Sequence, residues 1–401
     1  MSKLHTSCAS RVRVLISLLS LILLATACGG SGGGGAEAGT GSVALLLTDA
    51  PTDEFTQVLV TVTRIDLLGG DGDDDDNDEG NRETIFEGRE TFDLLALENV
   101  SEPFAIADDI PAGTYSKFRM IVEEIELVRT DGSGGTESVF PRLPGGDRID
   151  LNSQGGFRVE PGETLAVRLD IDARNSIHIN ETGNGEYLFR PQVFVDVLGS
   201  RAPGRLIYVE GVVREIDDTG TPVRIWLCEV EISHRNSAGY SDRHCLTVFA
   251  NDETSVFDDS GLPSDVSEID LEDRIAVLGH YTVDEDDRFA IDAEVIELGG
   301  SAAFLTLTGV VIEGTTPLYD SFLLLLDRGQ GLADGAVVEV EIFEETLIVS
   351  SDGESLDPRE ITLGSPIEVD GVLVLSTDET DRLRAAAIFV GEGPVAVPLE
   401  F

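Results

Sequence analysis

The densest set of metal-type ligands in the chain is Asp71-Gly72-Asp73-Asp74-Asp75-Asp76-Asn77-Asp78-Glu79-Gly80. Calcium takes about six to eight hard oxygens, and Asp71, Asp73, Asp75, Asn77 and Glu79 offer them within one short loop. Asp73, Asp75 and Asn77 fit the first three ligand places of an EF-hand, but Asp78 stands where that loop needs glycine for its sharp turn. The alternative is a self-repelling, solvated hairpin tip. Ca2+ is therefore an expectation to test, and no other cofactor is indicated. The second reactive set is Cys228 and Cys245, with His234 and His244 nearby. Their spacing fits no usual zinc arrangement, so a disulfide is expected. His178, His234, His244 and His280 are scattered, and Ser176 near His178 is not a triad. No H-E-x-x-H, P-loop or dinucleotide fingerprint occurs. Carboxylates are too abundant for any pair to stand out as a glycosidase pair. The sequence thus points to a non-enzymatic protein.

The N-terminus decides the compartment that chemistry works in. Lys3, Arg11 and Arg13 precede an apolar run, Val14 to Leu24, then small residues and Cys28. That run is shorter than the roughly 20 residues a membrane span requires, and its three-part pattern is that of an export signal over residues 1–27. Ala25-Thr26-Ala27-Cys28 resembles a bacterial lipobox, although Leu24 sits one place earlier than is usual. The resemblance implies cleavage before Cys28 and three acyl chains on it, palmitate included. Two or more chains make anchoring stable where one does not. Residues 28–41 then read as a Gly-rich tether. Gly29-Gly30-Ser31-Gly32-Gly33 has the letters of a nucleophile elbow but lacks the strand and helix that such an elbow requires. Gly29 after the cysteine resembles outer-membrane sorting. The expected location is the cell envelope, lipid-anchored, on the outer membrane.

The 401 residues carry a formal net charge of −49. This repels nucleic acid and anionic headgroups and attracts cations. Lys3 and Lys117 are the two lysines. High acid with so little lysine fits a saline habitat, where screening quenches self-repulsion, and equally fits lineage composition. The 41 % hydrophobic content argues against disorder.

The elements behind these residues read as strands. Val58, Val60 and Val62 alternate, as do Leu165, Val167, Leu169 and Ile171, and again Val193, Val195 and Val197. Pro111 to Tyr115 is a turn into a strand over Phe118 to Val128, and Thr91 to Leu97 is a weak helix candidate. Short strands with Gly/Pro turns predict an antiparallel β-sandwich over 42–198.

Ser42-Val43-Ala44-Leu45-Leu46-Leu47-Thr48-Asp49-Ala50-Pro51 is followed in order by Phe92 to Leu97, Ile110 to Tyr115, Leu169 to Ala173 and Phe189-Arg190-Pro191. This series resembles an uncharacterised bacterial lipoprotein domain, domain of unknown function 4382. The resemblance implies a prealbumin- or immunoglobulin-like sandwich and carries over no catalytic residue.

Beyond the Gly199 to Gly204 linker the chain repeats. Tyr208-Val209-Glu210-Gly211-Val212-Val213 answers Thr306-Leu307-Thr308-Gly309-Val310-Val311. Glu268 to Gly279 answers Glu360 to Gly371, and Arg288-Phe289 answers Arg382-Leu383. Two small β-barrels are expected, at 204–299 and 303–396, with Gly299-Gly300-Ser301 between them. Glycines inside strands suggest bulges or barrel bends. The units resemble OB-like periplasmic domains of unknown function. Trp226, Tyr208, Tyr240 and Tyr281 could stack on a sugar, although strand aromatics are more often core.

The expected whole is an all-β, jointed rod that presents binding surfaces to an envelope protein or polysaccharide. The alternative is a calcium-dependent adhesion or surface-layer component, and an envelope hydrolase ranks third. Three features separate these readings. A cleft with a histidine and a perturbed carboxylate favours an enzyme. A flat aromatic strip favours sugar. Two exposed sheet edges favour strand addition.

Overall fold

The N-terminal unit has eleven strands: β1 (Thr40–Ala50), β2 (Gln57–Gly69), β3 (Arg82–Asp93), β4 (Val100–Pro111), β5 (Gly113–Thr130), β6 (Thr136–Val139), β7 (Arg148–Val159), β8 (Thr164–Asp172), β9 (Ile177–Thr182), β10 (Glu186–Phe189) and β11 (Gln192–Leu198). The structure is a computed structural model. It describes residues 39–50, 55–69, 82–97, 99–130, 135–143, 146–172, 176–182, 186–199, 204–231, 245–314, 320–327, 335–376 and 380–391. The expected export signal over residues 1–27, Cys28 and the candidate Ca2+ ligands Asp71, Asp73, Asp75, Asn77 and Glu79 lie outside the described residues, as do His234, Tyr240 and His244.

The unit is a sandwich. One sheet runs β11-β8-β1-β4; the other runs β3-β2-β5, with β6 and β7 both on the far side of β5. Between them lie Val43, Leu45 and Leu47 of β1, Val167 and Leu169 of β8, and Phe92, Phe104, Phe118 and Phe157. Phe104 meets Phe86 and Phe92 edge-on, and Phe118 meets Phe157 likewise. The alternating apolar residues of β8 face this core, as their period predicts. The first strand has no such alternation, because its even residues Ala44 and Leu46 are also buried, against the next unit. Two-sided burial explains the unbroken apolar run Val43 to Leu47.

Two expectations for this unit need correction. The sheet is mixed rather than wholly antiparallel, since β1 and β8 pair in parallel from Ser42↔Thr164 to Ala50↔Asp172. Thr91 to Leu97 is the end of β3 followed by one 3-10 turn at Leu94–Leu97, not a helix. Asp93 accepts the backbone N–H groups of Val58 and Leu95, which fixes that corner.

The second unit comprises β12 (Leu206–Asp217), β13 (Val223–Glu231), β14 (Leu246–Ala250), β15 (Ser255–Phe257), β16 (Pro263–Ser264), β17 (Arg274–Val283) and β18 (Phe289–Leu298). The third comprises β19 (Leu305–Gly314), β20 (Ser321–Leu326), β21 (Val337–Glu341), β22 (Leu347–Ser350), β23 (Pro366–Val374) and β24 (Arg382–Val390). Both are closed five-stranded barrels with one topology. The ring is β12-β13-β14-β18-β17 in the first and β19-β20-β21-β24-β23 in the second. In each the third and fourth strands of the ring, β14 with β18 and β21 with β24, pair in parallel.

The repeated glycines have a steric cause. A Cβ on Gly211 would lie 2.7 Å from the Cys228 carbonyl oxygen, and one on Gly309 would lie 2.3 Å from that of Leu325. Gly279 and Gly371 likewise press on the carbonyls of Asp292 and Arg384, at 2.3 and 2.2 Å. Both sit at register shifts in the ladder, the expected bulges. The register also corrects one correspondence. Thr282 pairs with Ala290 where Val374 pairs with Arg382, so Arg382-Leu383 answers Ala290-Ile291 and not Arg288-Phe289.

A jointed rod is not what forms. Residues 37–401 make one compact unit. The sandwich sheet runs into the first barrel through a parallel pair, Leu206↔Val100 and Ile207↔Ser101. Ala44, Leu46 and Ala166 of the sandwich share that barrel's core. A further cluster gathers Val100, Tyr208, Leu278, Phe304, Ala387 and Phe389 from all three units. The Gly299-Gly300-Ser301 spacer is itself part of this packing. Gly300 has φ +51°, and a Cβ there would strike the Glu210 carboxylate at 2.8 Å.

Candidate functional site

Closing each barrel leaves sheet edges only outside the rings, and among the described residues the edge strand with exposed large apolar side chains is β11. It pairs with β8 on one side, from Gln192↔Asp172 to Leu198↔Ala166. No described strand pairs with its other side. Val193 and Val195 lean on the sandwich core. Phe194 is 56 % exposed and Val197 53 %, so the third residue of the Val193, Val195, Val197 pattern is not buried as its period predicts. The N-terminal end of the strand is pinned by buried Ser176: its Oγ accepts the Gln192 N–H at 2.8 Å and its carbonyl accepts that of Arg190 at 2.7 Å. This is the role of Ser176, while His178 pairs with Leu188 in the β9–β10 hairpin.

The outer face beside this edge is mostly acidic. Phe194 is in register with Asp170, and Asp196 with Arg168, which donates to Asp196 at 3.1 Å. Burial raises Asp170 above the usual carboxylate range, and Arg205 opposes it. A cleft of about 300 Å³ runs from this strand to the first barrel, lined by Arg168, Val195, Asp196, Leu198, His280 and Tyr281 among others. His280 Nε2 lies 3.7 Å from Glu294, beyond hydrogen-bond reach. Burial raises Glu294, and His280 opposes that shift. Ser101 also lines the cleft, with a buried Oγ that makes no hydrogen bond. These three groups therefore do not form a bonded nucleophile–base–acid relay.

Sugar stacking loses most of its expected residues. Tyr208 is buried, with its hydroxyl 3.5 Å from Glu210, and Tyr281 stacks inside the first barrel on Phe289 at 5.4 Å. Trp226 is half-buried. No flat aromatic strip is present among the described residues. Cys228 and Cys245 are disulfide-bonded, fastening β13 to the start of β14.

A second group of polar residues lies where the two barrels meet. Glu210, Ala276 and Glu297 stand side by side across β12, β17 and β18. Glu210 is held by Arg274 at 3.2 Å and by the Ser301 N–H at 3.0 Å. Glu297 is 1 % exposed, and neither carboxylate oxygen has a hydrogen-bond partner. Asp370 reaches the cluster from the second barrel. Burial, with Glu210 adding to it, pushes Asp370 up to about 7 against the Gly371 N–H. Burial raises Glu297 well above its usual value, aided by Asp370 and Glu210. Nothing in the sequence marked these carboxylates, which are ordinary members of a very acidic chain.

Residues 40–191 match the family model described as Domain of unknown function (DUF4382). This covers β1 to β10 of the sandwich, where the ordered motifs are found, and neither β11 nor the barrels. Neither the curated proteins nor the solved structures yield a match to the chain. Among the described residues no helix is long and apolar enough to cross a membrane.

Proposed function

We propose that this chain is a non-enzymatic, lipid-anchored protein of the cell envelope that takes an extended segment of another envelope protein onto the free edge of β11. The observation that carries this reading is that edge itself: seven residues long, with no described strand on one side and with Phe194 and Val197 exposed. A docked strand would satisfy its free backbone groups over about 20 Å, at roughly 3.3 Å per residue. Phe194 and Val197 would supply contacts for alternate side chains of that segment. Asp170 and Asp196 beside the edge, with the net charge of −49, favour a segment bearing Lys or Arg. Triacylated Cys28 would hold the chain at the outer membrane, and the Gly-rich tether would let the folded part reach its partner. The shared barrel topology, closed in each ring by one parallel pair, supports the OB-like reading of both repeats. In this account they serve as closed supports behind the sandwich.

The test is affinity co-purification from native membranes. The lipidated chain is compared with a Cys28→Ala form and with a Phe194→Asp/Val197→Lys form. The account expects a protein recovered in near-equal amount with the lipidated chain and lost with the edge variant. Equal recovery by the edge variant would move the docking site elsewhere. Enrichment of envelope glycan without protein would replace the protein partner with polysaccharide.

A further inference from the structure

Asp370, one of the buried carboxylates at the barrel junction, borders a cavity of about 460 Å³. Leu95 and Val100 of the sandwich line it, with Tyr208 and Ser301 from the first barrel side and Phe304, Phe389, Thr308 and Asp370 from the second. Its size is within the range of small-ligand sites, and its wall combines aromatic surface with a carboxylate. Asp370 is 7 % exposed. The charged and titratable groups facing it are Tyr208 and Glu210 from β12, Arg274 from β17, Glu297 from β18, Glu368 from β23 and, beyond Tyr208, Glu102 from β4. The β24 wall supplies apolar Ala387 and Phe389. Arg274 is bonded to Glu210 and does not line the cavity. Glu297, buried with both oxygens unpartnered, belongs to the same carboxylate cluster behind the cavity wall and does not line the cavity. The cavity lining holds two carboxylates, Asp370 and Glu368, and three aromatic rings, with no Arg, Lys or His among its described residues.

We infer that this junction cavity binds a small organic cation, with an ammonium group set against Asp370 and its apolar part among Phe304, Phe389 and Tyr208. A metal ion is the weaker choice, because among the described residues no three ligating side chains converge on one point. Aromatic faces also favour a soft ammonium over a strongly hydrated ion. This site is separate from the β11 edge and does not depend on the partner proposed there.

The full mature chain is melted at pH 8 with n-butylammonium chloride, against sodium chloride of equal ionic strength. A ligand that binds only the folded state should give a saturable rise in Tm of about 2–4 °C above the salt control. Asp370→Asn should abolish that rise. Thr306→Phe narrows the cavity from an exposed position at its wall and should weaken the response at least tenfold in half-saturating concentration. It gives a second reading should Asp370→Asn fold poorly. No rise beyond sodium chloride, or an equal rise in both variants, would overturn the inference.

Discussion

The two barrels share one ring order, one parallel closure and the same pair of glycine positions, yet their buried polar chemistry differs at matching places. Glu210 of the first answers Thr308 of the second, Ala276 answers Glu368, and Leu278 answers Asp370. The first barrel is sandwiched between neighbours and carries a disulfide; the second touches the rest mainly through the junction cluster. The comparison separates what the architecture demands from what position adds. Glycine at a bulge is demanded in both, because a neighbouring carbonyl occupies the space of a Cβ. The carboxylates follow the junction, and only their contacts across it explain their environment.

The largest effect is expected from the feature the barrels do not share. Replacing Cys228 and Cys245 by serine should cost the first barrel about 3 kcal/mol by the chain-entropy estimate. Thermal melting with local protease sensitivity would show the loss confined to that barrel. A loss spread equally over both would mean that they unfold as one unit.

The next largest effect tests what they do share. Gly279→Ala and Gly371→Ala should each cost about 1–3 kcal/mol, through overpacking against the carbonyls of Asp292 and Arg384. Denaturant melts should place the two costs within a factor of about two. A neutral result in either would break the equivalence.

A smaller effect follows from the junction. Asp370 titrates near 7 in the fold against an ordinary 3.8, so the folded state holds its proton longer than the unfolded chain. Its contribution is fully present below about pH 4 and is lost as pH rises through 7. Stability should therefore fall between pH 5 and 8, and Asp370→Asn should flatten that fall. Asp150 supplies the opposite sign within the sandwich. Arg119 and Lys117 hold its carboxyl at about 2, so its contribution is present above 3.8 and is lost as pH falls toward 2. Asp150→Asn should remove part of the acid-side loss and leave the slope between pH 5 and 8 untouched.

The smallest stability effect belongs to the edge. Phe194→Asp is at an exposed site and should shift stability by no more than about 0.5 kcal/mol. Its consequence should appear in partner recovery alone.

Much of the fold was legible, for identifiable reasons. Leu165, Val167, Leu169 and Ile171 alternate because one side of β8 meets the sandwich core. The repeat shows in Gly211 and Gly309 because steric exclusion recurs with the topology. Other features leave no local trace. Parallel pairing of β1 with β8 joins residues over a hundred positions apart. The apparent match of Arg382 to Arg288 is two residues off, because the hairpins after Gly279 and Gly371 keep one register and place Ala290 where Arg382 stands. Fusion of the three units rests on Ala44, Leu46 and Tyr208, which look like ordinary strand residues. The β11 edge was half legible: its valines read as a strand, but which strand lacks a neighbour is a property of the whole sheet. Among 76 acidic residues, Glu297 and Asp370 are distinguished only by burial.

The most direct test of the docking account is amide hydrogen exchange over Gln192–Leu198, on the free lipidated chain and on the same chain with its captured partner. The account predicts that alternate amides of β11, those directed away from β8, exchange quickly when free and become protected in the complex. Unchanged exchange along β11 in a stable complex would contradict it.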